Sequence, residues 1–204
     1  MSIPNSPARE NLNPVAWKAT VLSHPNPKEQ HELRLQKLKS LDVAIDAVVL
    51  QRQHPVSGLL PASTANTVHG NYGDAWVRDC VYSIQCVWGL AIAHRRLHRG
   101  TTQRSWELEQ RVLGLMRGLL KSMMRQASKV ERFKYSLHPL DALHAKYNSA
   151  NGDQVVADDG WGHLQLDATS LFLLQLAQLS RGGLAVIRNR HEVAFIQNLV
   201  YYVA

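Results

Sequence analysis

Only two cysteines occur in this chain of 204 residues. Cys80 and Cys86 fall in one helical stretch, on different faces and roughly 9 Å apart along its axis, so they cannot bridge each other. Long apolar runs are also missing. The longest uncharged stretch, Cys80–His94, contains Ser83, Gln85 and Gly89 and falls short of the ~20 residues that span a bilayer, so no transmembrane segment is expected. Residues 1–30 hold Pro4, Pro7, Pro14, Pro25 and Pro27 but no apolar secretion core, which predicts a flexible proline-rich lead on a cytoplasmic protein. The chain has no glycine-rich phosphate cradle and no nucleophile elbow, which excludes those routes to nucleotide binding and serine hydrolysis. His94 and His98 share a helix face at metal-ligand spacing, but Arg95, Arg96 and Arg99 would repel a cation, so neither metal nor cofactor is expected. The formal charge of +7 is spread along the chain and carries no helix-turn-helix, zinc-finger or RNA-recognition signature, so no nucleic-acid partner is expected.

What is present is an ordinary folded composition, 45% apolar and 19% charged, arranged with helical periodicity. Residues 29–53 place Leu38, Leu41, Ile45, Val48 and Val49 at three- and four-residue steps, predicting an amphipathic helix. Residues 106–126 repeat that pattern, and Asn189 with Glu192 caps a last amphipathic helix running through Val203. Between them, 79–97 and 167–180 are apolar on almost every face and should be buried. Two long stretches rich in Gly, Pro, Asn and Asp, 53–72 and 127–165, read as loops, each leading into an apolar helix. Amphipathic helices alternating with apolar ones, and long connections with short ones, describe a double-layered, all-α array of about five helices. Both long loops enter the inner layer at helix N-termini. Any shared site belongs at that end, where unsatisfied N–H groups suit hydroxyl-rich or anionic ligands.

Two clusters stand there. In Asp74–Asp79, Trp76 offers a flat face to a sugar ring while Arg78 and Asp79 donate to and accept from hydroxyls. Asp79 could equally cap its helix, with Arg78 paired to some carboxylate. In Trp161–Asp167, Trp161, Gln165 and Asp167 could complete the same binding surface. Trp161 as core filler and Asp167 as a cap would also explain that cluster.

The stretches GLLPAS (58–63), DAWVRDCVYSIQCVWGLAIA (74–93), ELEQRVLGLMRGLL (107–120), LHAKYN (143–148), WGHLQLDATSLFLL (161–174) and EVAFIQNLVYYV (192–203) resemble, in order, the opening domain of the phosphorylase b kinase regulatory subunits. That domain is similar to the glucoamylase-type glycoside hydrolases of family 15. The resemblance implies that residues 31–204 are the amino-terminal part of an (α/α)6 toroid, truncated at its C-terminus, with a glucose pocket at one end. It points to Arg78 and Asp79 as ligands of a terminal glucose and to Trp161 as pocket lining. It implies a regulatory role in glycogen metabolism, with a glucan or oligosaccharide, other kinase subunits and calmodulin as partners. The basic, Met-containing stretch 111–134 has the composition of a calmodulin target, but an outer helix with Met and Leu inward explains it more simply. The lead before Leu41 departs from the animal subunits and fits a microbial relative. A truncated glucoamylase-type hydrolase and a helical scaffold with a vestigial pocket are the competing readings.

Glycoside hydrolysis needs two carboxylates flanking the scissile bond. In the family both are glutamates beyond the last matched segment. The glutamates here are Glu10, Glu29, Glu32, Glu107, Glu109, Glu131 and Glu192, and none is expected at the mouth of an inner helix. The chain is therefore predicted to carry no catalytic residue. Incubated with maltooligosaccharides, the purified chain should release no glucose above background, and measurable release would overturn this reading.

Overall fold

The computed structural model describes residues 26–64, 66–67 and 70–204. Residues 1–25 of the expected lead lie outside the described residues, and the rest of it is the start of a helix. Asn26 accepts hydrogen bonds from the N–H groups of Lys28 and Glu29, the Glu29 carboxylate accepts from the Asn26 N–H, and Pro27 occupies the first turn. This reciprocal cap, with a proline whose missing N–H costs nothing there, begins α1 (Pro27–Val48) two residues ahead of the apolar pattern.

Five further helices follow among the described residues: α2 (Val77–Leu97), α3 (Gln103–Met124), α4 (Ala127–Ser136), α5 (Leu166–Arg181) and α6 (Arg190–Val203). Short antiparallel pairings, β1 (Asn66–Thr67) with β2 (Gly70–Asn71) and β3 (Ala75–Trp76) with β4 (Lys146–Tyr147), trim the loops. The α4 helix was not expected. Its stretch offers only Val130 and Phe133 as periodic apolar residues, and what secures it is distant: Phe133 packs 4.6 Å from Tyr202, and Lys134 bonds Asn198, both on α6. Leu137, in a left-handed conformation, stops it.

Helix α2 is the hub, packed by α1, α3 and α5. Val77, Cys80, Val81, Ile84, Val87, Leu90 and Ala91 are all buried along it. Its contacts with α5 fix their relative direction. Arg78 Nη1 donates to Asp167 Oδ2 at 2.6 Å in the first turns, and about two turns on Gln85 Nε2 donates to Gln175 Oε1 at 2.9 Å. The two helices therefore run parallel with their N-termini at one end. The amphipathic α1, α3 and α6 lie outside them. On α3, Met116, Leu119, Leu120 and Met123 face the core. The loop after α1 lies directly on α3 through Gly58, whose φ of +75° and approach to the Gly114 carbonyl leave no room for a side chain; a Cβ would sit 2.4 Å from that oxygen.

Burial is less complete than the apolar pattern of the inner helices predicts. Leu166 and Leu174 on α5 and Tyr82 on α2 are exposed, as are Val193, Val200 and Tyr201 on α6. Helix α1 buries only Leu38 completely and is held largely by charge. Asp42 accepts from Arg104 Nε at 2.9 Å and contacts His94 Nε2 at 2.6 Å, while Asp46 accepts from Arg104 Nη2 at 2.6 Å. His94 is thus bound to a carboxylate and stacked on His98. Both cysteines are free, Cys80 buried and Cys86 exposed.

Glu192 does more than cap. Asn189 accepts from the Glu192 N–H, as the spacing predicts, but the Glu192 carboxylate accepts from the Arg188 N–H and from Arg117 Nη2 of α3 at 3.0 Å. Both partners are nearly buried, with side-chain exposures of 15% and 7%. Burial pushes the Glu192 carboxyl up, but Arg117 and the Arg188 N–H outweigh it and hold it below its ordinary value. A depressed carboxyl contributes stability above the usual glutamate range, and the contribution is lost as pH falls through the depressed value. Glu192→Gln should cost about 3 kcal/mol in urea unfolding at pH 7 by leaving Arg117 buried without its counter-charge. The deficit should shrink as pH drops below about 4, and an equal deficit at pH 7 and pH 3 would contradict this account.

Candidate functional site

The parallel inner helices bring both sequence clusters to one place. Trp76, Arg78, Asp79, Trp161 and Gln165 line a single concavity of about 260 Å3, together with Ala62 and Tyr72. Asp167 does not line it. Its carboxylate stands behind Arg78, which it holds protonated and oriented.

Helix α2 begins at Val77 and α5 at Leu166, so Asp79 and Asp167 are first-turn residues rather than caps. Neither helix has a side-chain cap, since Trp76 and Gln165 occupy the cap positions without bonding the first turn. Two uncapped N-terminal turns therefore flank the concavity, each with a first-turn carboxylate toward the positive end of its helix.

Its floor is aromatic. The β3–β4 pairing sets Trp76 opposite Lys146, and the Val77 N–H continues the contact by donating to the Ala145 carbonyl. Trp76 is buried beneath Tyr72, stacked at 6.4 Å, and Trp161, edge-on at 5.5 Å. Gly162 makes this possible, because at φ +78° a Cβ would lie 2.7 Å from the Trp76 ring. Trp161 itself is 70% exposed, which rules out core filling. A large aromatic face held in water beside carboxylate and guanidinium groups is what a pyranose ring requires. Trp76, being buried, leaves little ring surface of its own open.

Three residues of the site were not foreseen: Lys146, Tyr72 and Ala62. The Lys146 ammonium sits 4.9 Å from the Trp76 ring centre and 5.1 Å from that of Trp161, with its stem buried. Asp74, close by, is pushed up by burial and drawn back by Lys146. Lys146 falls in the LHAKYN stretch, but no periodicity there distinguishes it from a solvated lysine.

Two polar atoms of the wall are left over. Trp76 Nε1, a donor, and Gln165 Oε1, an acceptor, are buried and bond nothing. An unsatisfied buried group costs about 1–3 kcal/mol, so each is a local loss of stability beside the concavity.

The loop bearing Trp161 is tied down from behind. Asp158 bonds Lys129 of α4 and lies 2.8 Å from Nε2 of the buried His144. Arg125, capping the end of α3, bonds the Asn151 carbonyl and Asp153. Lys129 and His144 hold the Asp158 carboxyl below its usual range, while burial pushes His144 down. None of the six described glutamates lines the concavity; they lie on α1, α3, α4 and α6, and Glu10 is outside the described residues. No cluster of three or more potential metal ligands occurs among the described residues, and none of their helices is long and apolar enough to cross a membrane.

The family profile of glycosyl hydrolases family 15 matches residues 38–204. The chain is 54% identical over 161 residues to the liver isoform of phosphorylase b kinase regulatory subunit alpha from Oryctolagus cuniculus, covering 78% of this chain and 13% of that protein. To the skeletal muscle isoform of the same animal it is 52% identical over 169 residues, 82% of this chain and 13% of the relative. To a probable phosphorylase b kinase regulatory subunit alpha of Drosophila melanogaster it is 49% identical over 161 residues, 78% of this chain and 12% of the relative. The chain thus spans about one eighth of the length of these relatives.

The Arg78–Asp167 pair is 39% and 53% exposed, so solvent screens it and it contributes little to folding. Arg78→Met should change the unfolding free energy by less than about 1 kcal/mol in urea titration, which separates a binding residue from a structural one. A loss several times larger would make the pair a structural clasp.

Proposed function

We propose, from the premise that this chain belongs to the glycosyl hydrolases of family 15, that it is part of a glucan-recognising domain of a phosphorylase b kinase regulatory subunit, acting in glycogen metabolism and carrying no catalytic pair within these 204 residues. The observation that carries the recognition is the exposed ring of Trp161 set in one concavity with Arg78 and Asp79. A sugar brings a ring face to the one and hydroxyls that both donate and accept to the others. Arg78, steadied by Asp167, donates; Asp79 accepts; Trp161 closes on the ring face.

The names of the relatives support the regulatory reading, and the placement of the glutamates supports binding without hydrolysis. Hydrolysis would need an acid and a base or nucleophile on opposite sides of the bond, and Asp167, engaged by Arg78, is poorly placed for either role. Other subunits of the same kinase are the natural protein partners. A calmodulin contact, if the chain makes one, would use a surface other than the apolar side of α3. A cytoplasmic location accords with this role.

Titration calorimetry with maltoheptaose tests the reading. The chain should bind the oligosaccharide, and Trp161→Ala and Asp79→Asn should each weaken binding by about tenfold or more, the loss of one well-placed contact of about 1.4 kcal/mol. No binding, or binding indifferent to both substitutions, would refute it. Accompanying glucose release would favour a hydrolase instead.

A further inference from the structure

A second hollow of about 290 Å3 adjoins the saccharide concavity at Ala62, which lines both. Helix α2 runs beneath both. Asp79 faces the first chamber, and Ser83, one turn later, faces the second.

The ridge between them is held firmly. The Cys80 thiol donates to the Leu60 carbonyl at 3.2 Å, the Ala62 N–H to the Asp74 carbonyl at 2.9 Å, and the Ser63 N–H to the Tyr72 carbonyl at 2.9 Å. Arg52 reaches the second chamber from the short 3-10 turn after α1.

The chemistry of the chambers differs. The first has aromatic rings and a carboxylate, the groups that hold a neutral sugar. The second has neither. Its polar lining comes from the Arg52 guanidinium and the hydroxyls of Ser63, Thr64 and Ser83, set against apolar Val48 and Leu60. Arg52 has no ion-pair partner among the described residues. A guanidinium with several hydroxyls and no carboxylate repels nothing negative and matches the oxygens of a tetrahedral dianion. A second neutral sugar would find no flat face there to stack on.

We infer that the two hollows together take a phosphorylated glucose unit, the ring in the first chamber and its phosphate monoester in the second, with Arg52 as the residue that distinguishes it from the neutral sugar. This rests on the carbohydrate reading above and goes beyond it in naming the charge state of the ligand.

The test is calorimetric titration of the chain, at one ionic strength, with glucose, glucose 1-phosphate, glucose 6-phosphate and inorganic phosphate. At least one phosphorylated sugar should bind about tenfold tighter than glucose, the magnitude of one charge-assisted contact, and tighter than inorganic phosphate. Arg52→Gln, an exposed substitution, should remove that advantage and leave glucose binding unchanged, whereas Asp79→Asn should weaken both sugars. Equal affinity for the neutral and phosphorylated sugars, or an advantage that survives Arg52→Gln, would overturn the phosphate chamber while leaving the saccharide site standing. Inorganic phosphate binding as tightly as the phosphorylated sugars would mark an anion site unconnected with the sugar and would also overturn it. Failure of every sugar to bind would remove the carbohydrate reading and this inference with it.

Discussion

The broad apolar face of α2 has to be covered, and that requirement sets the arrangement of the whole chain. Its enclosure by α1, α3 and α5 removes Val81, Ile84, Val87 and Ala91 entirely from water, each large side chain contributing roughly 1.5–3 kcal/mol. Three flanking helices around one buried helix require a layered array. Once α5 joins α2 in the inner layer, running parallel to it, their first turns meet and the loops that feed them converge. The concavity follows from this packing, because two uncapped helix starts and two loop ends arrive together with an aromatic floor between them.

Charge then performs the docking that apolar contact leaves undone. Helix α1 buries little, and Asp42 and Asp46 clamp it to His94 and Arg104. Arg117 and Glu192 tie α3 to α6, and Lys129 with His144 tethers the loop that carries Trp161 through Asp158. A chain with 23 basic and 16 acidic side chains thus uses its scarcer carboxylates as structural partners, and Arg52 has no ion-pair partner among the described residues.

The concavity joins rigid support to exposure: a buried aromatic floor, one exposed tryptophan, and an ion pair too solvated to matter for folding. Membership of a hydrolase family is compatible with recognition alone, because recognising a sugar and cleaving its bond use different residues, and none of the described glutamates lines the concavity.

Periodicity alone determined the helical class, the two-layered alternation, and five of the six helices, because amphipathic and apolar patterns mark the faces that pack even where burial falls short of them. The residues singled out at the two helix mouths also meet in space, save that Asp167 stands behind Arg78. What remained illegible depends on partners far away in the chain. Helix α4 exists through contacts with α6, which a ten-residue polar stretch cannot announce. Lys146 enters the site because one strand register sets it opposite Trp76. Arg78 finds Asp167 across 89 residues of sequence. A local pattern states which face of a segment avoids water, and only the tertiary structure decides what that face, or its polar reverse, will touch.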